Sequence, residues 1–158
     1  MVTLEQFKEN AKQHGICEML DDWNNARSKK ALMDVALSIR GIEYLARAIS
    51  EGWGISPSVI NDEFKPFLNG RYKRQMDGYS SSIYCRERGD IVIDTTATLI
   101  IDFTGVIVVP SNMVCEIYLC NSGVEIVGEG KAKIYTYKSF VVTDISENKN
   151  FYEETVIW

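Results

Sequence analysis

Four carboxylates in the second half of the chain are the side chains best suited to acid–base chemistry: Asp90, Asp94, Asp102 and Glu116. Hydrolysis of a glycosidic bond needs two carboxyl groups held a fixed distance apart. Asp102 and Glu116 are the pair that we expect on one face of neighbouring β-strands. Carboxylates on the outside of β-strands commonly serve only solubility, however. We therefore predict no catalytic residues and a protein that is not an enzyme.

Nucleophiles and metal ligands are equally sparse. The run Ser80-Ser81-Ser82 has no histidine nearby, and a catalytic triad would have to recruit the single histidine, His14. The cysteines form no Cys-x-x-Cys pair, and no ligand spacing typical of zinc is present. We therefore expect no metal and no cofactor. We expect the cysteines to be reduced and mostly buried: Cys17, Cys85, Cys115 and Cys120.

The distribution of charge limits the classes of partner. The chain of 158 residues fits one domain, or two small ones that share a core. Residues 1–76 contain 11 Lys/Arg and 10 Asp/Glu, whereas residues 77–158 contain 6 and 12. An acidic half binds phosphate backbones poorly, which argues against nucleic acid as a partner. Neither a secretory signal nor an apolar run long enough to span a membrane is visible, so we predict a cytoplasmic protein.

A short apolar run recurs through the second half of the chain, each time after a small spacer residue. The spacers are Gly89, Gly105, Gly123, Ser139 and Thr155, which lie 16, 18, 16 and 16 positions apart. A near-constant period indicates stacked supersecondary units. We predict a small β-solenoid with about 17 residues in each coil. An antiparallel meander or sandwich is the alternative.

Counting back from each spacer assigns faces to the strands. Residues six and four positions earlier are predicted to point into the solenoid: Ile83/Cys85, Leu99/Ile101 and Ile117/Leu119. The fourth unit offers Lys133 and Tyr135 instead. Either the register slips by one residue there and Ile134 points inward, or the lysine snorkels. The apolar runs after the spacers are predicted to be strands buried on both sides.

The residues between the inward positions form a second apolar stripe on the opposite face: Tyr84, Ile100 and Tyr118. Two interpretations are open. The N-terminal helices cover this stripe, or it is an exposed surface that binds a partner, because large exposed apolar patches usually mark contacts.

The first 70 residues show the periodicity and end signals of short helices. Five helices are predicted, at about residues 3–14, 16–26, 28–40, 42–51 and 56–65. We expect them to form a bundle, a helical subdomain of residues 1–70, with Trp53 in its core. A solenoid also needs its open ends covered. The helical subdomain is expected to cover the first coil, and Trp158 with the charged residues 144–154 to cover the last.

Asp77-Gly78 predicts a β-hairpin that begins the second subdomain, residues 71–158. The two strands are Arg71–Met76 and Tyr79–Cys85, with both turn residues at positive φ as in a type I′ turn. Cations alternate with an aromatic residue in the first strand. This composition suits an edge strand kept soluble by charge, or a nucleic-acid surface. Three hairpin residues join the stripe as candidate partner-binding residues: Tyr72, Arg74 and Tyr79.

Several segments of the first half resemble short uncharacterised proteins encoded by prophages and mobile elements of gut bacteria. They are LEQFKENA at residues 4–11, DWNNA at 22–26 followed by SKK at 28–30, GWG at 52–54, and FLNG at 67–70 followed by Tyr72. The resemblance covers about residues 4–85. It implies a phage or mobile-element gene that acts in the cytoplasm of a bacterium or a phage-infected cell, and it brings no activity or catalytic residue.

We interpret the chain as a non-enzymatic protein–protein interaction module, monomeric or dimeric, that binds a protein partner. One alternative is a carbohydrate-binding or carbohydrate-active protein that uses Tyr84, Tyr118, Asp102 and Glu116 on one face. A second alternative is a nucleic-acid-directed regulator that uses the helices and residues 71–74.

Overall fold

The computed structural model describes residues 20–52, 55–141 and 151–155, with the single positions Glu5 and Glu9. Its helices are α1 (Leu20–Asn25), α2 (Lys29–Ala36), α3 (Gly41–Glu51) and α4 (Pro57–Glu63), followed by a 3₁₀ turn (Lys65–Phe67). Its strands are β1 (Lys73–Met76), β2 (Tyr79–Cys85), β3 (Ile91–Val92), β4 (Ala97–Ile101), β5 (Thr104–Val108), β6 (Val114–Cys120), β7 (Gly123–Val127), β8 (Lys131–Tyr137), β9 (Phe140–Val141) and β10 (Phe151–Thr155). Within the described ranges, no helix is long and apolar enough to cross a membrane.

Local signals explain where the helices begin and end. The Ser28 hydroxyl accepts a hydrogen bond from the backbone N–H of Ala31 at the start of α2, and Ser56 caps α4 in the same way. Helix α3 ends at Gly52, whose φ of 71° is the left-handed conformation common after helices. The third, fourth and fifth predicted helices are therefore confirmed. Of the first predicted helix the structure describes only Glu5 and Glu9, both helical; Trp53 and the part of the second predicted helix before Leu20 lie outside the described residues.

Helix α2 ends earlier than predicted, and Ile39 is exposed instead of continuing its apolar stripe. Ser38 explains the early end, because its hydroxyl donates to the Val35 carbonyl and accepts from the Gly41 N–H. The turn is so tight that a Cβ at Gly41 would lie 2.0 Å from the Val35 carbonyl oxygen. Glycine at this position lets α3 begin directly against the end of α2.

The strands wind into a β-solenoid of roughly four turns. Sheet A has the order β1-β2-β4-β6-β8-β10, and sheet B has the order β3-β5-β7-β9. Every pairing is parallel except that of β1 with β2. The solenoid prediction is confirmed, and the antiparallel alternative is wrong.

The hairpin β1–β2 is confirmed as well, with Met76 opposite Tyr79. Its turn differs from the prediction, because Gly78 has a positive φ of 68° and Asp77 does not. A type I′ turn requires positive φ at both residues. An L-residue avoids the left-handed region, so the glycine alone adopts it.

The register between coils is less regular than the spacers suggested. Ile83 pairs with Leu99, Leu99 with Tyr118, and Tyr118 with Tyr135, which are steps of 16, 19 and 17 residues. Spacer glycines Gly105 and Gly123 do not face each other, since Thr104 is the partner of Gly123. The register therefore slips by one residue between the second and third coils. A slip of one residue exchanges the two faces of a strand.

The predicted faces of the first two coils are consequently wrong. The residues predicted to point inward pack against the helices instead: Ile83, Cys85, Leu99 and Ile101. Tyr84 and Ile100 point into the solenoid. The third coil follows the prediction, with Ile117 and Leu119 inside. In the fourth coil the slip interpretation holds, because Ile134 is inside.

Two apolar clusters stabilise the fold. One fills the solenoid between the two sheets, and the other lies between the outer face of sheet A and the helices. The described helices therefore pack along the side of several coils, whereas the prediction places the helical subdomain over the first coil. Strand β1 covers the start of sheet A, and β10 pairs with β8 at the other edge. The predicted cover from Trp158 and residues 144–150 falls outside the described residues.

Candidate functional site

The predicted stripe does not form one surface. Tyr84 and Ile100 belong to the cluster inside the solenoid, and Ile100 is 0% exposed. Tyr118 points the other way and lies beneath the helices, with an exposed fraction of 3%. The register slip separates the three side chains, so they do not form one contact surface.

Asp102 and Glu116 are also far apart. Glu116 pairs with Ala97 near the start of β4, whereas Asp102 follows the last residue of that strand. Five residues of extended chain span about 16 Å. Asp102 instead accepts a hydrogen bond of 2.9 Å from the Arg86 guanidinium. The predicted carboxylate pair therefore does not share a site.

The hairpin cations make contacts within the chain. Lys73 forms an ion pair with Asp94, and the Arg71 guanidinium donates to the Lys65 carbonyl. Tyr72 packs edge-to-face on Phe67, with 5.6 Å between the ring centroids. Because these groups are engaged locally, the hairpin offers weaker support for nucleic-acid binding than the sequence suggested.

The outer face of sheet B carries an unexpected row of apolar side chains. Val92, Val108 and Val127 lie side by side in the register of three adjacent strands. Val92 is 53% exposed, and Phe140 on the edge strand β9 is 65% exposed. We call this surface the valine face: Val92, Val106, Val108, Val127 and Phe140. Among the described residues, the apolar runs of sheet B are packed on the inside alone, and Val92 and Phe140 are exposed, which corrects the prediction that both sides are buried.

Polar positions frame the valine face. Glu125 is exposed opposite Val106, and Thr104 is exposed opposite Gly123. The Phe140 ring lies over Gly123, where a Cβ would come within 2.5 Å of the ring. An aromatic ring across a glycine of the neighbouring strand is a recognised way to stabilise a sheet edge.

A second cluster joins sheet A to helix α3. The Tyr118 hydroxyl donates to the Glu116 carboxylate at 2.5 Å, and the ring of Tyr118 stacks on Tyr135 with 4.8 Å between centroids. The Lys133 ammonium lies 5.0 Å from the centroid of the Tyr135 ring. Burial, with the hydrogen bond to Glu116, raises the pKa of Tyr118 well above its usual range.

Glu43 on α3 belongs to the same cluster, and sequence reasoning missed it. Partial burial raises the pKa of Glu43, and the Glu116 carboxylate raises it further. Burial and then Glu116 likewise raise the pKa of Tyr79. Only the parallel register that turns Glu116 and Tyr118 toward α3 brings these groups together. No signal in the sequence pairs residue 43 with residue 116.

A groove opens where the hairpin turn overhangs the starts of β4, β6 and β8. Its volume is about 480 Å³. Three charged side chains line it, Glu116, Lys131 and Lys133, beside Tyr79 and the exposed Val114. We call it the hairpin groove.

The part of the chain that the structure describes contains neither a candidate metal site nor a candidate reactive thiol. No group of three or more His, Cys, Asp or Glu side chains could hold a metal ion there. Cys85, Cys115 and Cys120 are free and buried. Burial raises the pKa of Cys85 to about 12 and that of Cys115 to about 11, and it raises the pKa of Cys120 as well. Cys17 lies outside the described residues.

Comparison with known proteins gives no relative from which a function could be carried over. No family model, no curated protein and no solved structure matches the chain.

Proposed function

We propose that the protein is a non-enzymatic protein–protein interaction module that binds its partner through the valine face. The observation that carries this proposal is the in-register row Val92, Val108 and Val127 on the side of sheet B that no described element covers. A contiguous exposed apolar surface on a soluble domain usually marks an interaction site.

The register makes this surface flat and continuous. Side chains at paired positions of parallel strands lie about 4.8 Å apart, so the valine methyl groups touch along the row. Burying one such side chain stabilises a complex by roughly 1.5–3 kcal/mol at most. The helices cover sheet A in the same manner, through a cluster that includes Ile83 and Leu99. We infer that sheet B receives its cover from another molecule.

The charge of the face favours a different protein over a second copy. Four strands with up to five residues each present at most about 300 Å². A standard protein–protein interface of either kind buries about 800 Å² on each partner, so the valine face is the centre of a larger contact. Two copies packed face to face would bring the two Glu125 carboxylates into one apolar interface. The partner that fits is an apolar surface with a Lys or Arg that reaches Glu125.

The test is capture of the partner from a lysate of the source cell by the purified chain and by two matched variants. Val92→Lys places a charge on the valine face, and Val114→Lys makes the same change at a valine that is 72% exposed on sheet A. We expect Val92→Lys to lower capture at least about tenfold, because an ammonium must then be buried. Val114→Lys should capture as well as the wild type.

Glu125 tests the chemistry assigned to the partner. Glu125→Lys should weaken capture further than Glu125→Gln, since it repels the cation that we assign to the partner. Stronger capture by Glu125→Lys would show an acidic partner. Equal capture by all the variants would contradict the role of the valine face.

We also propose the setting in which the module works. The resemblance of residues 4–85 to prophage and mobile-element proteins supports a phage or mobile-element gene whose product acts in the bacterial cytoplasm. In this proposal residues 1–70 form a complete helical bundle that braces sheet A, and the solenoid presents sheet B to the partner.

A further inference from the structure

The hairpin groove has walls that local hydrogen bonds hold in place. Ser80 and Thr96 bond reciprocally: the Ser80 N–H donates to the Thr96 hydroxyl at 2.7 Å, and the Thr96 N–H donates to the Ser80 hydroxyl at 3.1 Å. The Glu116 N–H donates to the Thr96 carbonyl at 2.8 Å. These bonds fix the hairpin, the first coil and β6 relative to one another. The groove is therefore formed before any ligand binds.

The carboxylate in the groove is also held in place. The Tyr118 hydroxyl bonds one oxygen of Glu116, and Tyr118 itself is buried beneath the helices. The exposed Glu116 keeps acceptor capacity toward the groove, because an ionised carboxylate can accept about four hydrogen bonds. An oriented acceptor of this kind suits a ligand that carries hydroxyl donors.

Two lysines of β8 line the groove beside the carboxylate, and Lys133 is the register partner of Glu116 on the neighbouring strand. Lys131 is exposed and forms no ion pair with any described residue. The Lys133 ammonium lies over the Tyr135 ring, 5.0 Å from the ring centroid. A ligand anion that meets both lysines would form charge-assisted hydrogen bonds. Val114, the register partner of Lys131, and Tyr79 add apolar surface to the lining of the groove.

We propose that the hairpin groove binds an acidic sugar, a short glycan that contains uronic acid. Lys131 and Lys133 bind the sugar carboxylate, and Glu116 accepts hydrogen bonds from ring hydroxyls. Val114 and Tyr79 pack against the C–H groups of the ring. A volume of about 480 Å³ accommodates two or three sugar units. This site shares no residue with the valine face, so either proposal can fail without the other.

The test is calorimetric titration of the full chain with trigalacturonic acid and with neutral maltotriose at physiological ionic strength. We expect saturable binding of the acidic trisaccharide, and binding of maltotriose weaker by at least about tenfold. The double variant Lys131→Gln/Lys133→Gln should lose affinity by a similar factor. Lys138→Gln makes the same charge change at an exposed corner of the solenoid outside the groove and should bind as the wild type does.

The Glu116→Gln variant distinguishes a groove that binds sugar hydroxyl groups from one that binds any anion. If Glu116 accepts hydroxyl hydrogen bonds, the variant binds trigalacturonic acid more weakly. If Glu116 only repels an anion, the variant binds it more tightly, which would overturn the proposal. Absence of saturable binding by the wild type would overturn it too, as would equal losses in Lys138→Gln or equal affinity for triglutamate. Circular dichroism melting curves confirm that each variant is folded.

Discussion

At the scale of single residues, the hydroxyl groups of Tyr79 and Tyr118 lie in one cluster but differ in their hydrogen bonding. Tyr118 donates to Glu116, whereas the Tyr79 hydroxyl is buried beside the Ser81 side chain and forms no hydrogen bond of good geometry with any described residue. A buried polar atom without a partner costs free energy that an apolar replacement recovers.

Replacing each tyrosine with phenylalanine therefore has different consequences. We expect Tyr118→Phe to lower the free energy of unfolding by about 1 kcal/mol, because it removes a hydrogen bond to a charged group. Tyr79→Phe should leave the free energy of unfolding unchanged or raise it by up to about 1 kcal/mol. Urea denaturation at neutral pH measures both. A loss in Tyr79→Phe equal to that in Tyr118→Phe would contradict the described geometry.

The buried cysteines give a prediction that depends on pH. Burial raises the pKa of Cys85 to about 12 and that of Cys115 to about 11, so almost no thiolate forms at pH 8, where an ordinary thiol with a pKa of about 8.5 is partly ionised. In a Cys17→Ser background we expect no reaction with iodoacetamide until urea is added. Mass spectrometry would detect the adducts.

The same pKa values set the direction of the pH effect on stability. A thiol whose pKa is raised in the folded state stabilises the fold fully below its unfolded pKa, about 8.5. That contribution is lost as the pH rises toward about 12. Rapid alkylation of the native protein at pH 8 would show that the thiols are not buried as described.

At the scale of secondary-structure elements, the corner that follows each strand of sheet A sets the register of the solenoid. Arg86, Asp102, Asn121 and Lys138 occupy this corner in successive coils, with positive φ values of 55°, 55°, 50° and 51°. They are spaced by 16, 19 and 17 residues, as the strands are. Four residues of different types share one backbone conformation that L-residues adopt at some cost.

A glycine at the last of these corners should stabilise the fold. Lys138→Gly relieves the left-handed strain, and we expect the free energy of unfolding to rise by about 0.5–1 kcal/mol. Lys131→Gly, within β8, is the matched control and should lower stability by a similar amount. Thermal unfolding measures both changes. A destabilised Lys138→Gly variant would indicate that the Lys138 side chain contributes more than its backbone strain costs.

These corners also explain how far the sequence predicts the fold. Helices α2, α3 and α4 follow from caps and glycines that act within a few residues. The solenoid follows from the recurrence of apolar runs. The faces of the first two coils do not follow, because the spacers Gly89, Gly105, Gly123 and Ser139 stand at different distances from their corners. With no residue type common to the four corners, the one-residue slip is invisible in the sequence.

The candidate site was less predictable still. Tyr118 and Glu116 were singled out, but their partners Glu43 and Lys133 come from an element distant in the chain and from the next coil. The apolar runs of sheet B are predicted to be buried on both sides, because composition alone does not distinguish a strand packed on both faces from one packed on a single face.

At the scale of the whole molecule, the solenoid presents two sheets that differ in what covers them. The described helices cover the outer face of sheet A, whereas no described element covers the outer face of sheet B. The hairpin groove lies at the start of the sheet A strands, away from the valine face. The molecule therefore has room to bind a protein partner on one side and a small acidic ligand at another.

Photo-cross-linking from a benzophenone amino acid placed at Val92, in cells that contain the partner, identifies the molecule that contacts the valine face. The same probe at the exposed Lys65, on the helical side, is the control. We predict one adduct with a different protein from position 92 and none from position 65. Adducts between two copies of the chain, or the same adducts from both positions, would contradict a partner-binding role for the valine face.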